Sequence, residues 1–289
     1  MSGPAAGAWI PGIPHSPTAE EEPAERELAD RRWFALLATV AGMLALIAAT
    51  VRAAAAPPFP WWRDAVDQAW VIVRRCTVPV ILSILAFGFG AAGVEAGQFA
   101  QLVGSVDRMG ASFVTASVRE FAPWINGMVI AGVAGTAICA DLGARKVREE
   151  LDALAVLGVD PVRTLVVPRF VALGFVTSLM TFVALFFGAL SGLAANVLLF
   201  NGTAAGYFAT FSNNFTVPEL LASVLKTSMF GFIIAIVCCY KGLQARGGPE
   251  GVGRSVNEAV VIAFAGIWIF NFAFTSTFLA AFPQTGDLR

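Results

Sequence analysis

Three long stretches of the chain carry no Asp, Glu, Lys or Arg at all: Thr77 to Val94, Phe170 to Pro218 and Ala259 to Pro283. A water-soluble domain has no use for such runs, because each presents more apolar surface than one core can absorb. An apolar helix of about 20 residues crosses the hydrocarbon of a bilayer, so lipid is the solvent these stretches fit. The whole chain agrees: 57% of its 289 residues are hydrophobic and only 13% charged, where a soluble domain has about 25% charged residues. An all-α integral membrane protein is the expected fold class.

The net charge of -1 and pI near 5.9 provide no basic field, which excludes a nucleic-acid partner. The start of the chain is rich in proline and acid (Pro11, Pro14, Pro17, Glu20, Glu25, Glu27) and lacks the basic, apolar and small-residue regions of a secretory signal. Residues 1–30 are expected to form a retained, disordered cytoplasmic tail.

Five spans are predicted, near residues 77–98, 111–140, 170–200, 219–240 and 259–282, making 77–282 a five-helix membrane domain with a short tail at 283–289. Lys and Arg set the orientation. Most of the 19 basic residues fall before the first span, between the second and third (Arg145, Lys146, Arg148, Arg163, Arg169), or between the fourth and fifth (Lys241, Arg246, Arg254). These regions are predicted to face the cytoplasm, with the C-terminal tail outside. Within residues 31–76, the apolar segment Trp33 to Ala56 is read as an elbow lying in the inner leaflet, since a sixth span would carry Arg26, Arg31 and Arg32 outside. Trp62, Val66, Trp70 and Val73 recur at helical spacing opposite Arg63, Asp67 and Arg74, which predicts an amphipathic interfacial helix leading into the first span.

Several tempting motifs carry no chemistry. Gly88, Gly90 and Gly93 match GxGxxG, but inside an apolar span with no preceding strand; helix packing explains them, as it does the Gly93/Gly97 pair. Gly248 to Ser255 approaches a phosphate-binding loop, with Arg254 where lysine is needed. The run from Gly247 to Gly253 reads as a cytoplasmic turn. Cys76, Cys139, Cys238 and Cys239 are read as reduced structural thiols. The one histidine, His15, lies far from them, so no metal site is expected. No nucleophile and base are paired, so no catalytic residue and no cofactor bound by this chain is predicted.

Between the second and third spans, residues 141–158 are predicted to form an amphipathic helix capped by Asp141. Val147, Leu151 and Leu154 would lie on one face, and Gly158 would end it. Asp160 and Pro161 then read as the N-cap and first position of a helix that runs past Pro168 into the third span. Two readings stand: a solvated connector, or a coupling helix that docks its apolar ridge into a groove of a partner ATPase.

At this point the sequence resembles a known family. REELDALAVLGVDP (Arg148–Pro161) followed by LVVPR (Leu165–Arg169) is similar to the signature of the MlaE/YrbE permeases, membrane subunits of MCE-associated lipid ABC transporters. REFAP (Arg119–Pro123), AICADLGAR (Ala137–Arg145), CYKG (Cys239–Gly242), GGPEGVG (Gly247–Gly253) and VNEA (Val256–Ala259) resemble the actinobacterial YrbE branch and its A-type member. The resemblance runs from about Ala29 to Phe282. It implies an elbow helix plus five spans in a bacterial inner membrane, and a heterodimer with a second YrbE-type permease, a homodimer being the second choice. It also implies two cytoplasmic ATPases that bind ATP and magnesium, MCE proteins outside, and a fatty acid, phospholipid or sterol as substrate. The residues it assigns to ATPase coupling are Arg145, Arg148, Glu149, Glu150, Leu151, Asp152, Leu154, Gly158, Asp160 and Pro161.

Charges beside or within spans are costly unless they meet water, protein or a head group. Arg119 and Glu120 therefore either mark the outer interface or line a lipid cavity, and Lys226 either snorkels outward or joins that cavity. The other function classes consistent with the sequence are an ion- or proton-coupled secondary transporter, for which the charge-free third and fifth spans are a poor fit, and a non-transporting scaffold for extracytoplasmic lipid-binding proteins.

Overall fold

The computed structural model describes residues 32–282, so the expectations for the 1–30 and 283–289 tails lie outside the described residues. Every regular element among the described residues is helical. In chain order these are α1 (Arg32–Ala55), α2 (Trp62–Leu102), α3 (Met109–Val147), α4 (Glu150–Val156), α5 (Val162–Phe200), α6 (Ala204–Asn214), α7 (Val217–Leu243) and α8 (Gly248–Ala281). Six of them contain stretches long and apolar enough to cross a membrane: Leu37–Ala55 in α1, and α2, α3, α5, α7 and α8. The segment assigned from sequence to an in-plane elbow thus has the length and composition of a span.

The helices outrun their predicted bounds. The interfacial helix predicted before the first span is not a separate element: α2 is one rod of 41 residues, about 60 Å at 1.5 Å per residue. Pro79 is accommodated inside it, and the helix continues through Gly88–Ala92 to Leu102. Likewise α3 does not stop at residue 140; it continues to Val147, so Asp141 lies within a helix and caps nothing. The turn predicted at Gly247 to Gly253 shrinks to Gly247 and Gly248, which take positive φ of 86° and 70°, and α8 begins at once. One helix was not anticipated. In α6 the Thr203 hydroxyl caps the start by accepting from the Gly206 amide at 3.1 Å.

Among the described residues, five-residue π turns interrupt the α-helical rods at Gly88–Ala92, Ser117–Phe121 and Ala131–Gly135, and a fourth, Val162–Val166, opens α5. Each inserts one residue into a helix and rotates the side chains beyond it.

By contact the chain forms two compact units. The first holds the described residues up to Gln68, Gly135–Ala172 and Ile234–Val261. Its helices approach closely at small residues: a Cβ on Gly42 would overlap the Tyr240 ring, and one on Gly242 would meet Leu142 and Cys139. Arg163 ties the start of α5 to the end of α1 by donating to the carbonyls of Ala56 (2.9 Å) and Pro58. The second unit holds Ala69–Ala134, Leu173–Ile233 and Ile262 onward. Phe87, Phe113, Phe121 and Tyr207 form a chain of ring contacts there. A polar ladder crosses its core: Asn126 donates to the Thr177 carbonyl at 2.8 Å, and Thr181 donates to Thr227 at 2.7 Å. All four cysteines are free and buried.

Candidate functional site

In the second unit, three helices bring the intramembrane charges together. Arg119 and Glu120 sit in the π turn of α3, Glu219 and Lys226 lie one above the other on α7, and Asn271 and Thr275 are one turn apart on α8. The Arg119 guanidinium grips Glu219, with Nε at 2.7 Å from Oε1 and the terminal nitrogen on the same oxygen. Lys226 donates to the Arg119 carbonyl and, at 3.1 Å, to the Thr275 hydroxyl, with Glu120 at 3.8 Å. Asn271 and Thr275 in turn donate to the two oxygens of Glu120 at 2.7 and 2.8 Å. Each cation therefore has a carboxylate, as low dielectric demands.

Lys226 does not snorkel outward. Only 2% of it is exposed, because the carbonyl and hydroxyl acceptors of neighbouring helices lie within its reach. Sequence reasoning missed Glu219, Asn271 and Thr275. The signals were a carboxylate opening an apolar helix and an amide in the middle of a charge-free run. Against this network lies a cleft lined by Val118, Arg119, Glu219, Ser223, Lys226 and Thr275 together with Ala222, Phe274 and Phe278.

The first unit carries a different feature. At Arg148 the α3 rod ends, and Glu149 adopts a left-handed conformation (φ 59°) that turns the chain into the seven-residue α4. The predicted single helix over 141–158 is thus two pieces with a reversal between them. Ion pairs cross the reversal: Lys146 to Asp152 at 3.2 Å, Arg148 to Glu150 at 2.7 Å and Arg145 to Glu150 at 3.8 Å; Arg145 also pairs with Asp141 within α3 at 3.3 Å. Arg169 reaches Asp141 at 2.5 Å from the start of α5.

Leu151, predicted on the docking ridge, is fully buried and anchors α4 instead, whereas Val156 and Leu157 are 86% and 76% exposed at the tip. Gly158 ends the helix with φ 74°, as its sequence position suggested. Asp160 then accepts from the Val162 amide at 2.9 Å, opening α5. Among the described residues no group of His, Cys, Asp and Glu has the arrangement of a metal site.

Long apolar helices, a neutralised charge cluster inside them and a small apolar tip between two of them define a multi-pass helical membrane protein of the permease type. Comparison with known families matches the one described as "Permease MlaE" over residues 65–277, and the chain belongs to that family. It is 37% identical over 184 residues to a probable ABC transporter permease protein of Synechocystis, covering 64% of this chain and 69% of that one. A probable ABC transporter permease protein of Rickettsia typhi is 31% identical over 162 residues, 56% of this chain and 62% of its own. Arabidopsis thaliana supplies the chloroplastic protein trigalactosyldiacylglycerol 1, 34% identical over 187 residues, 62% of this chain and 50% of that protein. The matches thus span between half and about two thirds of these relatives' lengths.

Proposed function

We propose that this permease is the membrane subunit of an ATP-driven lipid transporter, with lipid entering the cleft beside Arg119, Glu120 and Lys226 and a separate ATPase gripping the turn around α4. The observation that carries the reading is the tip itself. Val156 and Leu157 are exposed apolar residues at the end of a helix too short to be stable alone, whose start is tied to α3 by three ion pairs. Such a rigid apolar knob suits a groove on a partner protein, and its covalent link to α3 and α5 gives motion at the knob a route into the bundle.

In this reading the basic loops face the cytoplasm of a bacterial inner membrane, with the C-terminal tail outside. ATP and magnesium belong to the ATPase subunits. A second YrbE-type permease completes the dimer, and MCE proteins continue the conduit beyond the membrane. The transporter's substrate is a fatty acid, phospholipid or sterol; the glycolipid in the name of the Arabidopsis relative supports lipid as cargo.

The test is purification of the permease with its ATPase and measurement of lipid-stimulated ATP hydrolysis for wild type and Leu157→Asp. A buried charge in place of a hot-spot apolar side chain costs about 2 kcal/mol or more, so association should weaken at least about 30-fold. Full-rate, lipid-stimulated hydrolysis by Leu157→Asp would reject the docking role.

A further inference from the structure

We infer that the cleft takes an uncharged, hydroxyl-bearing lipid head, the kind carried by a diacylglycerol or a sterol, with Ser223 as its hydrogen-bond partner. The inference rests on the reading of this cleft as lipid-binding and deepens it.

Charge balance is the first argument. Arg119 is paired with Glu219, and Lys226 is hydrogen-bonded to the Arg119 carbonyl and Thr275 with Glu120 beside it. Two cations and two carboxylates cancel. An anionic head would meet no surplus positive charge here and would have to displace a carboxylate from a buried cation.

The second argument is the one polar atom of the lining that the network leaves over. Ser223 is only 2% exposed, and its hydroxyl oxygen has no hydrogen-bond partner. A buried hydroxyl without a partner is a vacancy for a ligand atom that can donate or accept.

Val118, Phe274 and Phe278 offer apolar wall to whatever chain or ring carries the hydroxyl.

The full-length permease in phosphatidylcholine nanodiscs would be exposed to three photoactivatable probes in turn: a diacylglycerol, cholesterol and a phosphatidylglycerol. Labelling of the cleft should favour one of the two neutral probes over phosphatidylglycerol by about tenfold, the worth of one buried hydrogen bond, and whichever neutral probe labels identifies the source of the hydroxyl. Ser223→Ala should remove that advantage. Glu219→Gln, which leaves Arg119 in excess, should raise phosphatidylglycerol labelling. Preference of the wild type for phosphatidylglycerol, or neutral-lipid labelling indifferent to Ser223→Ala, overturns the inference while leaving a lipid cleft standing. A folded chain that none of the three probes labels at the cleft overturns both.

Discussion

Replacing Glu219 by leucine strands Arg119. The guanidinium side chain is 13% exposed and the carboxylate 3%, with Nε and Oε1 2.7 Å apart. At an effective dielectric of about 20, that separation gives an attraction of about 6 kcal/mol, and desolvating the two ions costs several kcal/mol each. The pair as a whole therefore contributes little net stability, yet loss of one member leaves its partner's desolvation uncompensated, a penalty of about 3–5 kcal/mol. Glu219→Leu and Arg119→Met should each lower the unfolding midpoint by about 6–20 °C, taking about 2–4 °C per kcal/mol for a chain of this size. The double variant should return to within a few degrees of wild type. The protein carries its own reporter: all four cysteines are free and buried, so a thiol-reactive fluorogenic maleimide added during a thermal ramp lights up only as the bundle opens. Single variants that shift the midpoint by less than 2 °C, or a double variant whose loss equals the sum of the singles, would refute the coupled-pair argument.

Tyr207 is fully buried, its hydroxyl donating to the Ala189 carbonyl at 3.1 Å, and burial pushes its phenol above the ordinary value of 10. The unfolded chain therefore ionises first, so this contribution is complete below pH 10 and is lost as pH rises beyond it; Tyr207→Phe should cost about 1 kcal/mol at neutral pH and flatten the alkaline limb of stability followed by circular dichroism. At the α3–α4 reversal, Glu149→Gly removes a side chain from a left-handed backbone that disfavours it by about 1–2 kcal/mol, so the same maleimide assay should give an unchanged or higher midpoint, while a β-branched Glu149→Val should lower it.

What the sequence made legible, and what it hid, follows from the range of the forces involved. Charge-free runs mark spans because exclusion of charge from lipid acts on every residue of the run; four of the five predicted spans lie inside observed helices, and the fifth, 259–282, overruns α8 by one residue. The ends were misjudged because a helix leaving the bilayer meets no local penalty. AICADLGAR reads as a cap and a new start, but Gly143 packs where its Cβ would meet Ala245 and Val252, and the rod continues. The break that does occur falls at Glu149, a residue with no local preference for φ 59°; ion pairs between residues up to six positions apart impose it. Leu151 and Leu157 looked alike as apolar letters, and only tertiary packing buries one and exposes the other. Arg119, Glu120 and Lys226 were recognised as costly, but their partners on α7 and α8 are set by packing distances that a single sequence does not encode.

The π turn at Ser117–Phe121 connects these observations. An ordinary α-helix keeps every interior carbonyl in its own ladder, and a lysine ammonium in hydrocarbon has few acceptors to choose from. Pro123, four residues on, has no N–H to offer the Arg119 carbonyl, and this is the carbonyl Lys226 takes, while the π turn adds one residue to the same stretch. The same extra residue sets Arg119 toward Glu219 on α7 and Glu120 toward Asn271 and Thr275 on α8, two adjacent side chains serving two different helices. A regular helix at this position would change the rotation of everything beyond it by about 100°, which would carry Glu120 away from both its donors or Arg119 away from its carboxylate. The local departure from helical geometry is thus what allows four charges to sit inside an apolar bundle with every one compensated. Natural folds concentrate such departures where function requires them, and here the departure coincides with the cleft.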